Sequence, residues 1–158
     1  MLPALVTRAQ LETEFTAIMA WVGRAGWRAD VEPTGRLVTA RTAHPRTGTA
    51  LTVQADCTGY PSVPPAWRFL DHAGQSPKSA YPAPGQQPGI NGSVFHGNGL
   101  VCAPWNRLAY QDLGGVHGDW GALPAWKTAA PGYTQAHTIA DMLQTLSVHL
   151  AASPGMMA

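Results

Sequence analysis

The chain has 158 residues, enough for one domain whose core needs neither disulfides nor metals. Only 12% of it is charged, about half the usual share, and the net charge is +1 with no basic run, which excludes the clustered Lys and Arg of non-specific nucleic-acid binding. No apolar run approaches the roughly 20 residues that span a bilayer and no signal peptide opens the chain, so a soluble, cytoplasmic protein is expected, with Cys57 and Cys102 as free thiols.

The first predicted element is a helix. Thr7 and Gln10 fit a capping box, and Leu11, Phe15, Ile18, Met19 and Val22 recur at helical spacing before Gly23 and Gly26 end it. The period then changes to two. Trp27, Ala29 and Val31 alternate with Arg28, Asp30 and Glu32. A turn at Pro33-Thr34-Gly35 leads to a second strand over Leu37-Val38-Thr39-Ala40, and Leu51, Val53 and Ala55 mark a third. The proline-rich turn from Tyr60 to Pro65 precedes a short fourth strand, Trp67 to Leu70. From His72 to Gly92 the chain reads as a loop, ordered or flexible, and loop character continues through Asp119. A last helix is predicted from about Gln135 to Leu150, with Ile139, Met142, Leu143, Leu146 and Leu150 as its apolar stripe and a frayed tail from Ala151. The class is α+β: a helix, a four-stranded antiparallel meander, a loop region and a C-terminal helix, forming one domain over residues 1–158 with its core in 7–150.

Chemistry concentrates around Cys102, in Gly99-Leu100-Val101-Cys102-Ala103-Pro104. A lone cysteine is more often a small core residue than a nucleophile. Here, however, His96, Asn98, Asn106, His117 and Asp119 share its polar, Gly-rich stretch, and loops of this kind on a rigid scaffold bind or react. An ordinary thiol is only a few per cent thiolate at neutral pH, and a neighbouring histidine raises that share. The bland reading of each histidine alone is a surface polar residue.

Tyr60-Pro61-Ser62-Val63-Pro64-Pro65 resembles the Tyr-Pro-x-x-Pro-Pro turn of ubiquitin-conjugating (UBC) enzymes, which likewise follows a helix and three strands. Gly99-Leu100-Val101-Cys102 is similar to the family's Gly-x-x-Cys element. The family's next helix opens Thr-Ile, as Thr138-Ile139 does here, and its apolar places fall on Met142, Leu143, Leu146, His149 and Leu150, of which only His149 departs. The resemblance implies a UBC-like fold without the family's last two helices, and a Cys102 that takes a ubiquitin-like protein from its activating enzyme as a thioester and passes it to an acceptor's amine. No cofactor and no metal are expected, and the low charge and short apolar runs leave no expectation of a nucleic-acid or membrane partner. The Tyr-Pro turn is expected to be structural, with the Tyr60 hydroxyl bonded locally.

Three departures are clear. Gly92, Ser93 and Val94 stand where the family has His-Pro-Asn, so the asparagine assigned to the tetrahedral intermediate has no counterpart. The stretches before and after Cys102 are long, the latter including Gly114-Gly115-Val116-His117-Gly118-Asp119-Trp120. This pattern resembles divergent bacterial relatives encoded beside ubiquitin-like proteins, some in gene sets associated with antiphage defence. For the missing donor the order of preference is His117, oriented by Asp119, then His96, then Asn98, and His117 is expected to serve discharge to the amine rather than loading. Three alternatives stand beside this reading: a non-catalytic UBC-fold binding module, a cysteine hydrolase pairing Cys102 with His117 or His137, and a metal site from Cys102, His96 and His117.

Overall fold

A computed structural model describes residues 2–86, 92–128 and 134–158. Helix α1 spans Leu2–Ala25, followed by β1 (Arg28–Glu32), β2 (Leu37–Ala43), β3 (Ala50–Asp56) and β4 (Ala66–Leu70). The four strands pair antiparallel in chain order. A two-stranded hairpin, β5 (Phe95–His96) and β6 (Leu100–Val101), and a C-terminal helix α2 (Ile139–Ala152) complete the α+β layout. Among the described residues no helix is long and apolar enough to cross a membrane.

Period-two patterning does what it predicts. Register places Val38 beside Ala55 and Ala40 beside Val53, then Val53 beside Phe69 and Ala55 beside Trp67. These six are buried and form one core with Leu11, Ile18 and Val22 of α1 and Ile139, Met142, Leu143 and Leu146 of α2. β1 lies at the sheet's edge, and its alternate residues are only half-buried.

Both helix starts differ from expectation. α1 begins at Leu2, not at a Thr7 cap. Thr7 is fully buried, and its hydroxyl donates to the Tyr60 carbonyl, so the local capping motif loses to a distant partner. The buried face of α1 runs through Thr7, Leu11, Glu14, Ile18, Trp21 and Val22, whereas the expected core residues Phe15 and Met19 are 46% and 36% exposed. α2 begins at Ile139, later than Gln135, because the Thr138 side chain accepts a hydrogen bond from the Asp141 N–H at 3.2 Å and fixes the cap there.

Glu14 explains the shifted face. Its carboxyl accepts from the Tyr60 hydroxyl, from Gln10 Nε2 at 2.7 Å and from the Ile139 N–H at 2.8 Å. The Tyr60 hydroxyl is thus bonded far along the chain rather than locally, and one side chain ties α1, the Tyr-Pro turn and the first turn of α2. The tail is not frayed. Ser153 is buried, its hydroxyl donates to the Gly155 carbonyl at 2.9 Å, and His44 Nε2 lies 3.1 Å from the same hydroxyl. The Ala83 N–H donates to Gly155 O and the Met157 N–H to Tyr81 O. The tail thereby pins part of the expected 72–92 loop, in which Tyr81 is buried; residues 87–91 of that loop lie outside the described residues.

Candidate active site

Cys102 leaves the end of β6, and its half-buried position follows from backbone bonds on both sides. Its N–H donates to the Val94 carbonyl at 2.6 Å. Gly99 makes the β5–β6 turn with φ 84°, and a Cβ there would lie 3.1 Å from the Lys78 Cα, so the turn needs glycine twice over. Behind the cysteine, Asn106 is fully buried. Its Oδ1 accepts from the Trp67 N–H at 2.9 Å, and its Nδ2 donates to the Val101 carbonyl at 2.7 Å, which fastens β6 to β4. Asn106 was legible as a polar loop residue, but its work is structural.

The segment bearing His117 is equally fixed. The His117 N–H donates to Ala109 O at 3.0 Å, and its carbonyl accepts from the Gln111 N–H at 2.8 Å. Gly115 lies so close to residues 108–109 that a Cβ would come within 2.2 Å of the Ala109 carbonyl carbon. The glycines of this stretch therefore permit close backbone contact, and the insertion folds back beside the cysteine.

The side chains meet as a chain of three. His117 Nε2 lies 2.7 Å from the Cys102 Sγ, and His117 Nδ1 lies 3.2 Å from Asp119 Oδ1. A carboxylate only accepts, so in the neutral ring Nδ1 carries the proton and Nε2 is left to accept from the thiol. The ring stacks on Trp120, with centroids 3.7 Å apart and planes 7° apart, and Trp120 packs edge-on against Tyr110. Trp120, which the sequence reading passed over as an active-site element, thus sets the plane of the imidazole. A tryptophan directly after a Gly-rich His-x-Asp stretch was the available signal.

His96 and Asn98 stand apart from this group. Both are exposed on the β5–β6 turn, and His96 Nδ1 and Asn98 Oδ1 are 2.7 Å from each other. His137 is exposed with its ring against Trp126. Among the described residues no group of three His, Cys, Asp or Glu side chains could hold a metal ion.

Compared with protein-family models, curated proteins and solved structures, this chain matches none.

The two thiols differ in kind. Cys57 is fully buried, and burial pushes it up to about 12. Cys102 is half-exposed; burial pushes its thiol up to about 11, and the Asp119 carboxylate adds to the rise. At neutral pH the resting Cys102 is then a protonated thiol beside the His117 ring. The alkylation of Cys102 by iodoacetamide should accordingly keep rising about tenfold per pH unit from pH 8 to 10, where an ordinary thiol near 8.5 levels off. Mass-spectrometric rates across that range check this, and a plateau below pH 9 would contradict the buried neutral thiol.

Proposed function

We propose that this chain is a cytoplasmic carrier of the ubiquitin-conjugating type. It would take a ubiquitin-like protein from its activating enzyme as a thioester on Cys102 and pass it to an acceptor amine. The observation that carries this reading is the 2.7 Å contact between Cys102 Sγ and His117 Nε2, backed by Asp119. The sequence resemblance around Tyr60–Pro65, Gly99–Cys102 and Thr138–Leu150 supports the choice of acyl group.

In loading, His117 Nε2 accepts the thiol proton as Sγ attacks the incoming thioester carbonyl. The new C–S bond forms, the old one breaks, and the departing thiolate takes a proton. In discharge, an amine nitrogen attacks the Cys102 thioester, a C–N bond replaces the C–S bond, and His117 accepts the amine's proton and passes it to the departing Cys102 thiolate. Asp119 holds the tautomer that leaves Nε2 free to accept.

A thiol hydrolase is the second reading, favoured by the Cys102–His117–Asp119 order. Two features weigh against it. Cys102 follows a strand rather than heading a helix, so no helix N-terminus stabilises a thiolate. A thiol held near 11 suits attack on an activated thioester better than attack on a peptide amide.

The test is incubation with a ubiquitin-like protein, its activating enzyme and ATP, followed by electrophoresis without reductant. A reductant-sensitive adduct on Cys102 is expected. Cleavage of a peptide bond in the ubiquitin-like protein, with no adduct, would favour the hydrolase and overturn the proposal.

A further inference from the structure

His149 is the one polar residue in the buried stripe of α2, with 4% of its surface exposed. A buried polar group is costly unless it is bonded. Here the Val94 N–H donates to His149 Nδ1 at 3.3 Å, and Phe95 packs edge-on against the ring at 6.5 Å. Val94 in turn gives its carbonyl to the Cys102 N–H at 2.6 Å. α2 is thereby joined to the reactive cysteine through a single residue's two backbone groups.

We propose that His149 is a positioning residue for the Cys102–His117 pair, acting through Val94. For its chemistry the proposal rests on the thioester reading; for its geometry it does not. A leucine at position 149 would fill the space and continue the apolar stripe, but it would leave the buried Val94 N–H unpaired. Burial holds the ring below the ordinary histidine range, which keeps it neutral with Nδ1 open as an acceptor.

The experiment uses a short peptide thioester as the acyl donor, with transfer to Cys102 followed by intact mass. His149→Leu should slow uptake about tenfold in protein that remains folded by circular dichroism. His149→Asn, whose Oδ1 can take the place of Nδ1, should recover to within about threefold of wild type. Because His149 acts through the pair, the double variant His149→Leu/His117→Ala should be no slower than His117→Ala alone, within about twofold. A wild-type rate in His149→Leu, or full additivity in the double variant, overturns the proposal.

Amide hydrogen exchange supplies an arm that needs no acyl transfer. The Val94 and Cys102 amides should be protected in wild type and in His149→Asn, and in His149→Leu both should lose protection together. A Val94 amide that exchanges freely in wild type overturns the proposal even if His149→Leu does not fold. A wild-type protein that takes no acyl group while both amides behave as expected defeats the thioester reading and leaves the positioning role standing.

Discussion

Replacing Cys102 by alanine should abolish every reductant-sensitive adduct with a ubiquitin-like protein, the largest effect expected of any single substitution. The only other cysteine, Cys57, is fully buried with its thiol pushed up to about 12, and it cannot substitute. His117→Ala should come next. Sequence reasoning placed His117 in the discharge step alone. Its ring is bonded to the thiol itself, so its loss should slow loading as well, each step by about a hundredfold, within the range of general acid–base catalysis. Asp119→Ala should cost much less, about tenfold or under, because that carboxylate is 66% exposed and acts on the thiol indirectly, by holding the His117 tautomer. Single-turnover loading and discharge measure both steps. Normal loading by His117→Ala would separate the imidazole from the thiol's chemistry, and a persisting adduct on Cys102→Ala would move the nucleophile elsewhere.

The second large effect is on stability. Glu14→Ala should destabilise the fold by about 4 kcal/mol, because it strands the buried Tyr60 hydroxyl and the Ile139 N–H together. For a chain of this size that lowers the thermal midpoint by about 10 °C. Glu14→Gln keeps an acceptor for Ile139 and should lose about half as much. Thermal unfolding followed by circular dichroism gives both values. A change of under 1 kcal/mol in Glu14→Ala would mean that water replaces these bonds and that Glu14 does not join the two helices.

How much of this was legible followed from how local each signal is. The meander could be read because a strand's faces alternate residue by residue: Leu51, Val53 and Ala55 declare one face without reference to anything else. The apolar stripe of α2 was legible at Ile139, Met142, Leu143, Leu146 and Leu150, although its start was expected near Gln135 and the Thr138 cap sets it later, and Gly99 before Cys102 announced a turn that only glycine makes easily. Where a residue had a choice between a local and a distant partner, local reasoning failed. Thr7 has the identity of a helix cap and caps nothing. Glu14 looks like a solvent-facing acid, and Phe15 beside it looks like core; the structure reverses them, because Tyr60 and Ile139 bring the carboxyl two donors that the sequence does not place there.

The candidate site divides in the same way. The sequence alone determined its inventory: a cysteine at the end of a short apolar segment, a histidine and an aspartate two residues apart, and glycines around both. It ranked His117 over His96 only because Asp119 and the Gly-rich insertion accompany it; with His96 six residues before Cys102 and His117 fifteen after, chain separation gave neither ring's distance from the sulfur. Only the tertiary structure decided that. The 108–118 segment folds back on itself through the Ala109 and Gln111 backbone bonds, and Gly115 admits the close approach, so the His117 ring reaches the sulfur while His96 turns outward to Asn98. The physical reason is that residue type fixes which bonds a side chain can make, whereas the packing of distant backbone segments fixes which partner arrives within 3 Å.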